Sequence, residues 1–178
     1  MSTQPEISDS GAPAGALVFL RGEKGADFAE IHSSLLRQDG VAASVPVLGD
    51  WNILLRLAAK DRESLKRLVE KCIGSVKGVE GFEAHYCEET WKASGGNDEL
   101  NATACAVLDV DSGGLSTLVA RFRAMAGVVE GNVTAGGKKM VLFLRGNSFR
   151  EIRDVVSGEI RPLPGVLRVK LLNAMNFS

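Results

Sequence analysis

The sequence contains few of the residues on which most metal and catalytic sites depend. It has two histidines, one tyrosine and three cysteines among 178 residues. Cys72, Cys87 and Cys105 are odd in number and too far apart for a CxxC pair, and only His32 and His85 are available to help them bind a metal. We therefore expect free, mostly buried thiols and no metal or cofactor. The common nucleotide-binding and hydrolase motifs are also missing, so an enzyme is not the leading expectation.

Charge blocks and long apolar runs are missing as well. The formal net charge is -1 and neither sign is concentrated in one block, which gives no electrostatic footprint for general nucleic-acid binding. No apolar run approaches the roughly 20 residues that cross a bilayer. Residues 1–15 lack the basic and apolar regions of a signal peptide. These absences predict a cytoplasmic protein in which residues 1–15 form a disordered tail.

What the sequence does contain is an internal repeat. At an offset of 87 residues, Gly40-Val41 aligns with Gly127-Val128 and Gly49 aligns with Gly136, without a gap between them. Apolar positions recur at the same offset, for example Leu55 with Leu142. A repeat of this length indicates two copies of one structural unit.

The hydrophobic periods follow the same order in both copies. A short apolar run of strand length opens each copy; a helical face, two strands, a second helical face and a last strand follow. This β-α-β-β-α-β order is typical of an α+β, ferredoxin-like unit. We predict a first unit at residues 16–87, a polar, Gly-rich linker at 88–101 and a second unit at 102–174.

The central strands predict how the two units meet. Runs such as ALVFL (16–20) and MVLFL (140–144) are almost continuously apolar, whereas a sheet with one face in water would alternate. Helices cover one face of each sheet, and the other unit's sheet is the nearest cover for the second face. The expected architecture is an intramolecular two-sheet barrel or sandwich with pseudo-two-fold symmetry.

The polar stretch Gly49-Asp50-Trp51-Asn52 separates the two middle strands of the first copy, and two interpretations of it stay open. As a hairpin turn, glycine and the Asx residues supply the unusual dihedral angles. As a binding loop, Trp51 offers an aromatic wall and Asn52 a donor and an acceptor. His85 and Cys87 lie on one face of the last strand of that copy, with Tyr86 on the other, and ordinary packing is the favoured role for them.

Residues 40–86 resemble the effector-binding domain of the Lrp/AsnC (leucine-responsive and asparagine-responsive) transcription regulators. The resemblance consists of a Gly-Val that opens the second strand, a Gly-x-x-Asp-like turn, an apolar third strand, a helix, and a Gly-Val before the last strand. It covers residues 16–87 well and 102–174 more loosely. It implies two such units joined through their sheets as a dimeric α/β barrel, often with further assembly, and a small effector, typically an amino acid, bound near the turn.

Two departures from the family pattern shape the functional expectation. Only about 15 residues stand where the regulators carry a helix-turn-helix domain, so direct DNA binding is not expected. The turn carries Asn52 in place of Asp in the first copy and Lys139 in the second. The candidate effector-binding residues are Gly49, Asp50, Trp51, Asn52, Gly136, Lys138 and Lys139.

The leading hypothesis is a stand-alone Lrp/AsnC-like regulatory module. It binds a small, amino-acid-like effector, assembles with itself or with a regulator of that family, or does both. The alternatives are a tandem ACT-like amino-acid sensor, and a dimeric α/β-barrel enzyme or haem-handling protein, because barrels of this shape also host enzymes.

Overall fold

A computed structural model describes residues 14–93 and 103–174, and over these residues the chain forms eight β-strands and four α-helices. The first part comprises β1 (Ala14–Gly22), α1 (Phe28–Leu36), β2 (Val41–Leu48), β3 (Ile53–Ala59), α2 (Arg62–Gly74) and β4 (Val79–Lys92). The second part comprises β5 (Ala104–Val110), α3 (Leu115–Ala124), β6 (Val128–Thr134), β7 (Lys139–Leu144), α4 (Phe149–Val155) and β8 (Val166–Ala174). The predicted α+β class and the predicted element order are confirmed.

Side-chain caps fix where three of the helices begin. Asp27 precedes α1 and its Oδ1 accepts a hydrogen bond from the Glu30 amide at 3.1 Å. Asp61 precedes α2 and accepts from the Ser64 amide at 2.7 Å. Ser148 does the same for α4. Each such cap stabilises its helix by about 1 kcal/mol.

The eight strands close into an antiparallel barrel in the order β1-β3-β2-β8-β5-β7-β6-β4. Within the first part, β1 lies between β3 and β4; within the second, β5 lies between β7 and β8. The two parts join at two seams. β4 pairs with β6 from Cys87↔Thr134 to Lys92↔Glu130, and β2 pairs with β8 at Val47↔Ala174 and Leu48↔Asn173.

The seam between β4 and β6 changes the interpretation of residues 88–101, which the sequence analysis assigned to a linker. Residues 88–92 belong to β4, while 94–102 lie outside the described residues, as do 1–13. Trp91 is only 4% exposed, and it lies so close to Gly131 that a Cβ there would come within 2.2 Å of the indole. The polar neighbours of Trp91 face solvent on this strand, and for that reason the stretch was interpreted as a linker.

The apolar strands are buried on both faces, against helices on one side and inside the barrel on the other. The interior is apolar in its middle and contains Leu17, Phe19, Val45, Val47, Leu54, Cys105, Val141, Phe143 and Leu172. Separate helix-side clusters lie beneath α1 and α2 and beneath α3 and α4. Truncating a fully buried aromatic such as Phe143 to alanine costs about 3–5 kcal/mol in domains of this kind.

A polar network centred on the buried Glu130 and Asn132 joins the two parts of the chain at the barrel interior. The Arg56 guanidinium of β3 donates two hydrogen bonds to the Glu130 carboxylate of β6, at 3.1 and 2.5 Å. Asn132 donates to Glu130 at 3.2 Å, and Thr90 donates to the Asn132 carbonyl oxygen at 2.8 Å. We call these four residues the interior network. Its paired geometry compensates the desolvation of the Glu130 charge, which is 2% exposed.

All three cysteines are free thiols, as the sequence predicted. Cys72 and Cys105 are buried and Cys87 is half-buried. Burial raises the pKa of the Cys87 thiol to about 11 and that of Cys105 to about 12.

Candidate functional site

The turn between β2 and β3 is held firmly against the end of β1. Asn52 Oδ1 accepts a hydrogen bond from the Gly22 amide at 2.9 Å, and the Asn52 amide donates to the Leu20 carbonyl at 2.8 Å. Gly49 has φ +141°, a value that favours glycine. The side-chain oxygen of Asn52 therefore holds the turn in place, which is the hairpin role left open by the sequence.

Trp51 and Asp50 project from this turn into a set of charged contacts. The Arg21 guanidinium lies over the Trp51 ring, with its carbon 4.9 Å from the ring centre, and Arg21 Nε donates to the Asp50 carbonyl at 3.0 Å. The Asp50 carboxylate pairs with Lys170 Nζ at 2.5 Å, across to β8. This hydrogen bond lowers the pKa of Asp50, as does the charge of Lys170.

A cavity of about 210 Å³ opens beside Trp51 at one end of the barrel interior, and we call it the mouth. Both parts of the chain supply its walls. The lining residues are Phe19, Trp51, Glu83, His85, Val107, Asp109, Lys139, Arg168 and Lys170. Two of the sequence-predicted residues, Trp51 of the first turn and Lys139 of the second, therefore face the same space.

The charged groups of the mouth converge from four strands. Lys139 Nζ lies 3.7 Å from Glu83 Oε1 and 3.4 Å from Asp109 Oδ1. The same Glu83 oxygen is 2.9 Å from His85 Nε2. Arg168 is exposed at the rim and makes no ion pair within residues 14–93 and 103–174. The mouth thus combines six titratable side chains with three apolar ones, so it is more polar than most small-molecule sites, whose linings are predominantly apolar.

His85 is the most deeply buried polar side chain of the mouth, at 5% exposed. Its ring meets the Phe19 ring edge-on at 5.5 Å between centres. Burial lowers the pKa of His85, against the opposing charge of Glu83, so that the imidazole is neutral at pH 7. Because a carboxylate only accepts hydrogen bonds, Nε2 carries the proton in the contact with Glu83.

The second turn, between β6 and β7, brings only one of its three candidate residues into the mouth lining. The Gly136 amide donates to Glu88 Oε1 at 2.8 Å, on the outer side of β4. Lys138 lines a shallow, open surface cavity that also borders Lys139 and Asp109, so this cavity adjoins the mouth. Only Lys139 reaches the mouth lining, because it is the first residue of β7 and its side chain faces the barrel interior.

A larger cavity, of about 550 Å³, lies outside the barrel beside α4. At the corresponding place in the first part, the Leu68 side chain fills the space over Gly40 so closely that a Cβ would meet it at 2.5 Å. The residue 87 positions later is Val155, which is shorter and lies beside the cavity next to Gly127. This cavity contains no buried titratable side chain, so the mouth is the better candidate.

Within the described residues there is no group of three or more histidine, cysteine, aspartate or glutamate side chains arranged to hold a metal ion. Over the same residues, no helix is both long and apolar enough to cross a membrane.

Two residues of the mouth lining, Trp51 and Lys139, were predicted from the sequence, as was Asp50, which pairs with the lining residue Lys170. Most of the charged lining residues were missed. Glu83, Asp109, Arg168 and Lys170 carry no local motif. Glu83 and His85 are two apart on β4, a spacing that places both on one face, and this was the only available signal.

Residues 15–96 match the family model of the Lrp/AsnC ligand binding domain, just under half of the chain. One match is found, so the second part is not shown to be a copy of this domain. No curated protein matches the chain significantly.

Several solved structures resemble the chain. The siroheme decarboxylase NirDL aligns with 92% of this chain and 72% of its own, at 12% identity, with a TM-score of 0.65, or 0.64 for its complex with an iron-uroporphyrin III analogue. A putative monooxygenase from Fusobacterium nucleatum subsp. nucleatum aligns over 93% of both chains, at 10% identity and a TM-score of 0.59. At such identities the likeness shows the fold alone.

A protein named PH0061 matches at 22% identity, with a TM-score of 0.41. The match covers 49% of this chain and 60% of that one, so the aligned region is less than two thirds of the first structural relative.

Proposed function

We propose that this protein is a regulatory module of the Lrp/AsnC ligand-binding type, and that its effector is a small, amino-acid-like molecule bound in the mouth. The family-model match over residues 15–96 supports the ligand-binding class. The observation that carries the proposal is the convergence of Trp51 and Lys139, one from each turn, on one cavity. DNA contact, if the module acts on transcription, is left to a partner protein.

The size and the lining of the mouth support a small ligand. Its volume of about 210 Å³ is below the 300–1,000 Å³ typical of sites for drug-sized molecules. Phe19, Trp51 and Val107 offer apolar contact, and the charged groups fix orientation. Trp51 is half-buried, so a bound ligand covers the remainder of its ring.

We also infer that the two parts of the chain are two ferredoxin-like units that together make an intramolecular form of the dimeric α/β barrel. The repeated element order and the 87-residue offset support this inference. So does the strand order, in which β4-β1-β3-β2 of the first part corresponds to β8-β5-β7-β6 of the second.

Assembly with further copies or with a regulator remains part of the proposal. Three large apolar side chains are more than half exposed on the strands: Leu48 at 54%, Phe82 at 51% and Leu167 at 71%. Light scattering after size-exclusion chromatography, with and without effector, measures whether these residues support assembly.

The test of effector binding is a thermal-shift screen against amino acids and other small metabolites. A ligand that binds only the folded protein stabilises it by about 2.7 kcal/mol at 100 times its Kd. We expect at least one compound to raise the Tm of the wild-type protein and to lose this effect in Trp51→Ala. Trp91→Phe, which changes the distant tryptophan of β4, is the matched control and retains the shift. Flat curves for the whole panel contradict the proposal.

A further inference from the structure

The cavity of about 550 Å³ beside α4 is separate from the mouth, since the two share no lining residue. Its volume lies within the 300–1,000 Å³ that is typical of small-molecule sites. Seven of its thirteen lining residues are alanine, valine, leucine or isoleucine, and two are glycine. A predominantly apolar lining with a few polar groups is the usual composition of such a site.

At the equivalent place in the first part of the chain, a side chain fills the space. Gly40 and Gly127, 87 positions apart, have the same backbone conformation, with φ +89° and +88°. A Cβ on Gly40 would meet the Leu68 side chain at 2.5 Å, whereas a Cβ on Gly127 would meet only the Arg145 carbonyl oxygen within 4 Å. The residue equivalent to Leu68 is the shorter Val155. The cavity is thus a property of the side chains of the second part and not of the repeated backbone.

A π-helical turn, Val156–Ile160, continues α4 and determines which side chain reaches the cavity. In α2, Cys72 is buried. The residue 87 positions later is Glu159, which an ordinary α-turn would also place inward. Instead Ile160 is buried, and the Arg161 amide donates to the carbonyl five residues back at 2.9 Å. The wider turn leaves Glu159 exposed at the cavity. Single π-turns inside helices often occur at functional sites.

Glu159 gives the cavity a carboxylate with no partner in the described structure. Over residues 14–93 and 103–174, its side chain makes no hydrogen bond or ion pair. Glu151 adds a second carboxylate, one oxygen of which accepts from the Asn147 amide at 2.8 Å. Arg145, the cation of this lining, is already engaged in an interaction. Because a carboxylate only accepts hydrogen bonds, the polar end of a ligand beside Glu159 has to be a donor.

We propose that this cavity is a second ligand site, which binds an aromatic or branched aliphatic molecule that carries one ammonium group. The apolar walls over Gly127 and beside Val155 contact the body of the molecule, and Glu159 accepts hydrogen bonds from the ammonium group. This site goes beyond the effector site proposed for the mouth and does not depend on it.

The test is isothermal titration calorimetry of the full chain with three probes that share an indole ring and differ in charge: tryptamine, indole-3-ethanol and indole-3-propanoate. We expect tryptamine to bind at least tenfold more tightly than either of the others. Val155→Phe fills the space over Gly127 and should weaken tryptamine binding at least tenfold. Val155→Leu introduces the residue of the first part and should weaken it by a smaller factor, which provides a second variant if the phenylalanine variant does not fold.

Matched controls distinguish this cavity from other places on the protein. Glu159→Gln should abolish the preference for tryptamine over indole-3-ethanol, whereas Asp154→Asn, an exposed acid of α4 outside the lining, should retain it. Leu68→Val shortens the equivalent side chain of the first part and should leave tryptamine binding unchanged. Trp51→Ala, in the mouth, should also leave it unchanged.

Several outcomes would overturn the proposal. If tryptamine does not bind at millimolar concentration, or if Val155→Phe weakens its binding no more than Leu68→Val does, the cavity is not a ligand site. If Trp51→Ala abolishes tryptamine binding, the probe binds in the mouth instead. If indole-3-ethanol binds as tightly as tryptamine, the ammonium group is wrongly assigned. Weaker binding in the Val155 variants at an unchanged Tm supports the proposal, because the loss then arises from the filled cavity.

Discussion

The barrel interior contains two clusters of charged residues, and they are built differently. In the interior network, Arg56 and Glu130 form a bidentate pair, and Asn132 donates one further hydrogen bond to the same carboxylate. In the mouth, Lys139 stands 3.4 and 3.7 Å from its two carboxylates and a cavity remains. The first cluster pairs one cation with one anion through two hydrogen bonds, as a structural ion pair requires, and the buried Arg56 Nε has no hydrogen-bond partner among the described residues. The second shares one lysine between two carboxylates and leaves a space, which indicates a place for a ligand.

The largest loss of stability is expected when the interior network loses one partner. Replacing Glu130 with alanine leaves the Arg56 guanidinium without its carboxylate in the barrel. Because Arg56 is 26% exposed, we expect a loss near the lower limit for a broken buried pair, about 3 kcal/mol in the free energy of unfolding. Urea denaturation measures it.

The matched control is Glu89→Ala, which removes the exposed pair of Glu89 with Arg123 at 3.7 Å. An exposed pair of this kind contributes about 0–1 kcal/mol. Equal losses for the two variants would mean that the interior network is no more important to stability than a surface pair.

Acidification should affect the mouth through His85. Burial lowers the pKa of this histidine below its unfolded value of 6.5, so the unfolded state binds the proton more readily. The contribution of neutral His85 to the free energy of unfolding is therefore fully present above pH 6.5 and is lost as the pH falls below that value. Glu83 and Asp109 oppose this shift and Lys139 adds to it, so all three enter the balance. In His85→Asn, thermal unfolding between pH 7 and 5 should depend less on pH; an unchanged dependence would contradict this role.

The reactivity of the cysteine thiols tests whether the barrel interior is closed to solvent while the mouth is open. With pKa values of about 11 and 12, Cys87 and Cys105 are almost entirely protonated at pH 8, and burial raises the pKa of Cys72 as well. We expect slow reaction of the native protein with a thiol-specific disulfide reagent and rapid reaction of three thiols in denaturant. A native thiol that reacts at the denatured rate would show that the interior is accessible.

The smallest effect on stability should come from Arg168→Gln. Its side chain is exposed and makes no ion pair in the described ranges, so the free energy of unfolding should change by less than about 0.5 kcal/mol. Urea denaturation beside the wild type checks this. A larger loss would mean that Arg168 belongs to the fold and not to the binding surface.

More of the fold than of the site could be predicted from the sequence, and the reasons are physical. Hydrophobic periods and glycine spacing are local, so the strands, helices and repeated order could be predicted from them. Trp51 and Lys139 were found because both belong to turns at equivalent positions in the repeat. His85 was assigned to the correct face of β4, but its predicted role was ordinary packing.

The remaining site residues depend on closure of the barrel. Glu83 on β4 and Arg168 on β8 lie on opposite walls of the eight-stranded ring, so nothing in their local sequence connects them. The strand position of Trp91 was missed for a related reason, since its neighbours are polar and only pairing with β6 reveals the strand.

The central claim is that the mouth is a small-ligand site, and two-dimensional ¹H–¹⁵N NMR with the amino acids and small metabolites of the thermal-shift screen tests it most directly. The account predicts shifts concentrated at the Trp51 indole, His85, Lys139 and Arg168, with the Trp91 indole unchanged. Shifts concentrated instead around Gly127 and Val155 beside α4, or no shifts at all, would contradict it.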